Sequence, residues 1–295
     1  MIALCMFLVA GIFLGVWDIL KKVALKDEEV ISVLAAYSIL SFVLVCYEMP
    51  HAVMISGGTI CLLAVKSLII YVGWNLMFLA IQKLPISVII PFNTVTPLFS
   101  IILGIIVLGE MLKPMQWVGI VIMFVAYYFI SKVGKFEVEH IFRNKYFYYM
   151  IIGSICNGIS SLIDKIVIAQ VTETLTAKGM AASLTSPIVQ VWFLCFMMLF
   201  YGVTYLGRKY VKKEKLKLKW SWSILGMSVC IILADRIYFA GLNMPNTPIS
   251  IAMPLRSVSI VVSVLIGGLI FKEPNLKKKL LCTAILILGI VLVFV

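Results

Sequence analysis

Arg256 stands about two helical turns inside "ISIAMPLRSVSIVVSVLIGGLIF", an otherwise apolar run from 249 to 271. A charge in hydrocarbon costs several kcal/mol unless it faces protein or water, so an intramembrane Arg points to a ligand or an ionic partner. Two roles are open to it: contact with a substrate anion, or a structural pair with Asp235 or a backbone carbonyl. Asp235 and Arg236 lie deep in "GMSVCIILADRIYFAGL". Adjacent helical residues are roughly 100° apart, so one can face a cavity and the other a neighbouring helix. Asp235 is a candidate proton carrier, since a buried carboxylate can take up a proton, and a structural ion pair is the equal alternative.

Asp18, Lys21 and Lys22 close the first apolar run, with Asp18 and Lys22 on one helical face, while Asp164 and Lys165 lie well inside the sixth. Lys22 and Lys66 are long enough to snorkel to an interface. Trp17, Tyr71, Trp74, Asn75, Asn157, Tyr238 and Asn243 are candidate cavity walls, with plain packing or an interfacial belt as the alternative. The deep cations Arg256, Arg236 and Lys165 favour an anionic or zwitterionic ligand. Covalent chemistry has no comparable support. Neither His51 nor His140 lies inside an apolar run, and no Ser/His/Asp set, metal-ligand spacing or phosphate loop occurs. The seven cysteines all lie in apolar runs and read as packing thiols. The expectation is a binding protein that is not an enzyme, with no cofactor and no metal.

These residues must be positioned inside a membrane. The chain has 295 residues, 63% hydrophobic and 13% charged, with mean hydropathy +1.12. A soluble core of this size could not hide that much apolar surface. Spans of about 20 residues are predicted near 2–22, 30–48, 59–82, 86–108, 115–132, 147–169, 179–206, 222–243, 249–271 and 279–295. The first run lacks a basic leader and a small-residue cleavage site, so it reads as a retained span.

An internal repeat is visible. "PISVIIPFNTVTPLFSIILGIIVLGE" from Pro85 lies over "PISIAMPLRSVSIVVSVLIGGLIFKE" from Pro248 without a gap, identical at eight of 26 positions. They are Pro85/Pro248, Ile86/Ile249, Ser87/Ser250, Pro91/Pro254, Val95/Val258, Ser100/Ser263, Gly104/Gly267 and Glu110/Glu273. A weaker match sets Gly15–Leu25 over Gly158–Ile168. Residues 1–133 and 147–295 are therefore expected as two five-span units joined by 134–146. An odd number of spans inserts the second copy upside down, the pattern of many secondary transporters. The repeat makes Asn93 the counterpart of Arg256, a second candidate for the substrate site. Pro91, Pro97 and Pro254 are candidate kinks.

Pro85, Pro91, Pro97 and Leu108-Gly109-Glu110, with Pro248, Pro254 and Glu273 in the second copy, resemble the EamA domain of the drug/metabolite transporter superfamily. Lys272 replaces the Gly that usually precedes the Glu. The resemblance implies an all-α polytopic protein, ten transmembrane helices in two inverted five-helix repeats around a central cavity. Helices 1, 3, 4, 6, 8 and 9 would line it, with 5 and 10 outside. The small multidrug members carry a proton-binding Glu eight residues before a Lys; that place here is Leu14, so their proton chemistry is not implied.

The net charge is +12. Lys and Arg crowd the loops after spans 1, 5, 7 and 9, which reads as membrane orientation rather than nucleic-acid binding. The rule places both termini outside a bacterial plasma membrane, against the usual family orientation. "RKYVKKEKLKLKW" is expected on anionic headgroups, with Trp220 and Trp222 at the interface. The expected function is alternating-access transport of a small organic metabolite, such as an amino acid or organic acid, with protons as a candidate coupling ion. Exchange or flipping of a phosphorylated or lipid-linked substrate, and a non-transporting receptor or assembly role, are the alternatives. A monomer is compatible with the sequence.

Overall fold

The computed structural model describes residues 1–26, 28–52, 54–83, 95–132, 144–217, 220–270 and 276–293. Asn93, Pro91 and Glu273 lie outside the described residues. Among those described, all regular structure is helical. The long helices are α1 (Ile2–Ala24), α2 (Val30–Val45), α3 (Gly57–Lys83), α4 (Val95–Leu108), α5 (Pro114–Lys132), α6 (Lys145–Ala177), α7 (Thr185–Leu206) and α8 (Trp222–Leu242). Then come α9 (Ile249–Arg256), α10 (Ser259–Ile270) and α11 (Leu276–Val293). Six helices among the described residues are long and apolar enough to cross a membrane, with shorter apolar stretches at Thr96–Leu108, Pro114–Ala126, Ile249–Ser263 and Ala284–Val293.

Local chemistry sets the helix ends. Asn144 and Ser221 cap α6 and α8, their side chains accepting from the N–H groups of Tyr146 and Ile224. The predicted break at "TETLTAK" is instead helical to Ala177, where the hydroxyls of Thr174 and Thr176 donate to the carbonyls of Gln170 and Thr172. The predicted ninth span is not one helix. It contains Pro254, which has no N–H to continue the ladder. The chain then tightens into bonds three residues apart, Val258 N–H to Leu255 O and Val261 N–H to Val258 O, and breaks at Ser257-Val258 before α10. Arg256 is thus the last residue of a short helix.

The main helix contacts pair off. α1 packs along α8 and α3 along α6; α2 meets α7, α5 meets α11, and α4 meets both α6 and α9. Close approaches repeat the pattern. A Cβ on Gly158 of α6 would lie 2.8 Å from the Phe99 Cβ and 3.5 Å from the Thr96 carbonyl of α4. A Cβ on Gly15 of α1 would meet Val262 and lie 2.8 Å from the Ser259 carbonyl of α10. The internal alignment sets Gly15 over Gly158, Thr96 over Ser259 and Phe99 over Val262. Gly15→Val and Gly158→Val should each destabilise the purified protein by roughly 1–3 kcal/mol, through overpacking at matching contacts. Thermal unfolding in detergent tests this, and a substitution tolerated at one site alone would break the correspondence.

Candidate functional site

Between the helices lies a cavity of about 170 Å³. The six lining helices that the family resemblance implies all reach it: α1 through Trp17, α3 through Trp74, α4 through Thr96, α6 through Asn157, α8 through Asp235 and α9 through Arg256. α7 adds Phe193, which the sequence reading did not include. α5 and α11 contribute no lining residue among those described.

Three acid–base pairs line it. Arg256 and Asp235 form an ion pair, as do Lys66 and Asp164, and Lys21 Nζ lies 2.6 Å from Asp18 Oδ1. Lys66, Asp164 and Asp235 are only 2%, 5% and 6% exposed. Such depth excludes bulk water, so each charge depends on its partner. Aromatic faces support the cations. The Arg256 guanidinium lies 4.1 Å from the Tyr238 ring centre, Lys66 Nζ 4.1 Å from Phe193 and Lys21 Nζ 4.0 Å from Trp17. Trp74 Nε1–H donates to Asn157 Oδ1 at 3.3 Å, which fixes that amide against the wall. Trp17 Nε1 and Arg256 Nε are buried and meet no acceptor among the described residues. A buried donor without a partner carries a penalty that an incoming acceptor relieves.

Several expected site residues go elsewhere. Lys165 does not share the cavity with Arg256: it donates to the carbonyls of Leu242 (3.0 Å) and Thr247 (2.8 Å) and lines a separate cleft beside Asn243 and Asn246. Arg236 grips Glu48 through two bonds of 2.9 and 2.8 Å and Gln190 through Nε at 2.8 Å. It ties α8 to α7 and to the turn after α2. The Asn75 amide donates to the Tyr71 carbonyl one turn back, at 2.8 Å. Asp18 takes Lys21 rather than Lys22 as its partner, because at three residues' separation Lys21 also lies over Trp17. Lys66 does not snorkel; Asp164 holds it inside. Tyr238 is buried under Arg256, with its hydroxyl 3.4 Å from Met253 Sδ. Pro97 sits buried in the first turn of α4.

The sequence reading treated Lys66 as interfacial and left out Glu48 and Gln190. Opposite charges at similar depth, Lys66 in the third span and Asp164 in the sixth, were the available signal.

Residues 1–132 match the EamA-like transporter family, the domain of the drug/metabolite transporter superfamily. Its members are transporters rather than enzymes. Together with the apolar helices, this makes the chain an integral membrane protein. A search of curated proteins returns no sequence match. A solved crystal structure aligns over 97% of this chain and 94% of its own, with 11% identity and a TM-score of 0.69, so the two share a fold.

Lys66→Met alone should cost about 3–5 kcal/mol, because it strands the Asp164 carboxylate. Lys66→Met combined with Asp164→Leu should recover most of that loss. Thermal unfolding of the two variants in detergent checks it; equal losses would mean that the charge pairing is not what sets the cost.

Proposed function

We propose that this chain, with an EamA-like transporter unit over residues 1–132, is a secondary transporter of a small metabolite bearing a carboxylate, and that a zwitterion of amino-acid type fits best. The observation that carries this reading is the charge-balanced cavity, where three cations each face a carboxylate. The deep cations read as a group from sequence favoured an anion. With Arg236 and Lys165 engaged elsewhere, the cavity holds no excess of positive charge. A zwitterion can enter it without leaving a net buried charge. Its carboxylate takes Arg256, and its ammonium takes the Asp235 that Arg256 gives up. Trp17 Nε1 is a further donor for the carboxylate, and Trp74 and Phe78 offer an apolar wall. The volume lies below the roughly 300–1,000 Å³ of drug-sized pockets, which supports a small substrate.

Alternating access follows from two inverted units, 1–133 and 147–295, rocking about the cavity. The matching helix pairs and the equivalent surroundings of Gly15 and Gly158 support this. Protons are the proposed coupling ion, with Asp235 as carrier, since its carboxylate changes partner in the cycle.

The bacterial plasma membrane is the proposed location. Several helix ends gather on one side. Gln82 Nε2 donates to the carbonyls of Leu25 and Glu28, and Arg208 lies 3.8 Å from Glu29, so the turns after α1, α3 and α7 share a face. Lys212, Lys213, Lys215 and Lys217 are exposed there, near Trp220 and Trp222. Anionic headgroups on the cytoplasmic leaflet suit this face, which supports the reading that puts both termini outside.

A thermal-shift panel of amino acids and organic acids on purified protein tests the reading. A stabilising ligand should be found, and Arg256→Ala should lose the shift and the uptake into proteoliposomes. Asp235→Asn should weaken binding about tenfold, since it removes the partner of the ammonium, and should lose flux driven by a pH gradient even at saturating substrate. Full uptake by Arg256→Ala would refute the site, and full pH-driven flux by Asp235→Asn would refute proton coupling there.

A further inference from the structure

α4 ends in a way that reaches α9. Gly109 adopts φ +65°, a conformation that suits glycine, and the Glu110 N–H donates back to the Gly104 carbonyl at 3.1 Å. This closure folds Glu110 along the last turn of α4. Its carboxylate then accepts from the N–H groups of Ile249 (2.6 Å) and Ser250 (2.9 Å) and from the Ser250 hydroxyl. Those are among the free N–H groups of the first turn of α9, where a carboxylate is also favoured by the helix dipole. Gly104 leaves the room: a Cβ there would lie 2.6 Å from Ser250 Oγ.

α9 is eight residues long, with Glu110 at one end and the Arg256–Asp235 pair at the other. The break at Ser257-Val258 separates it from α10. Lys165 pins the turn before it through the Leu242 and Thr247 carbonyls. α9 is therefore a short helix held electrostatically at both ends, one in the cavity and one at the end of α4. The four residues of the outer contact, Gly104, Glu110, Ile249 and Ser250, are all among the positions identical in the two repeats. Apolar packing alone asks only for similar size and hydrophobicity at such places.

We propose that α9 is a lever and Glu110 its latch: while Arg256 is paired with Asp235 the latch holds, and freeing Arg256 loosens the contact of Glu110 with Ile249 and Ser250. A ligand that takes Arg256 from Asp235 thereby opens the end of the bundle where α4 finishes and α9 begins. The ligand's part in this rests on the reading of the cavity as a substrate site; the coupling between the two ends of α9 does not.

Hydrogen exchange of the full chain in phosphatidylcholine/phosphatidylglycerol nanodiscs, with no substrate added, tests the coupling. Glu110→Ala should speed exchange of the Ile249 and Ser250 amides by roughly tenfold or more, the loss expected for bonds to a charged acceptor. Arg256→Gln should speed the same amides from two turns away, and so should Asp235→Asn, which keeps the side-chain shape if the Arg256 variant fails to fold. Wild-type exchange of these amides in Arg256→Gln and Asp235→Asn, beside fast exchange in Glu110→Ala, would reduce Glu110 to a plain helix cap and overturn the lever. Unchanged exchange in Glu110→Ala would overturn the latch itself. Neither result depends on transport, so failure of the lever and failure of the transport reading are separate outcomes.

Discussion

An ionised side chain deep in a bilayer protein needs a counter-charge or water, and this protein meets that need three times around one cavity. Arg256 takes Asp235, Lys66 takes Asp164 and Lys21 takes Asp18. Two of the pairs join different helices, α9 to α8 and α3 to α6, so they fix rotations as well as neutralise charge. Apolar faces of similar composition could slide or turn against one another at little cost; a buried ion pair cannot. The packing of α1 along α8 and α3 along α6 brings these groups to one place. On the proposed reading, pairing also prepares the site for exchange: a zwitterion can supply new partners to both members of the Arg256–Asp235 pair, so the count of buried charges stays balanced.

The break in the ninth span gives that exchange somewhere to act. Were residues 249–270 one continuous helix, movement at Arg256 would have to displace its whole length. The gap at Ser257-Val258 leaves α9 as a separate two-turn piece, tied by Glu110 at the far end. Bonds to a carboxylate are strong when made and costly to lose when buried, which suits a contact with two discrete states.

Much of this was legible in the sequence. Hydropathy located most of the described helices, and the ungapped match from Pro85 and Pro248 pairs Thr96 with Ser259, both of which come against the aligned glycines. The rule that adjacent helical residues diverge separated Asp235 from Arg236, and the structure sends them to Arg256 and Glu48. The same rule separates Asp164 from Lys165, a consequence the sequence reading did not draw. Rotations and distant partners were not legible. Lys66 looked able to snorkel because its distance from a span boundary can be counted, whereas its partner sits on another helix. Glu48 stands at the very end of the second predicted span, yet it is buried against Arg236. In the sequence Glu110 stands out only as a repeat and motif residue closing the fourth span, and the turn at Gly109 reveals where its carboxylate goes.

On the proposed reading, the cavity exchanges internal charge partners for those of a zwitterion. Binding calorimetry on purified protein can test it with three related ligands: the amino acid that stabilises the protein best, the amine left on removing its carboxylate, and the acid left on removing its amine. Only the zwitterion presents both charges, so the account predicts that it binds at least about tenfold more tightly than either analogue, the loss of one charged hydrogen bond being worth roughly 1.5–3 kcal/mol. Equal affinity for the deaminated acid would contradict it, since the cavity would then be recognising an anion alone.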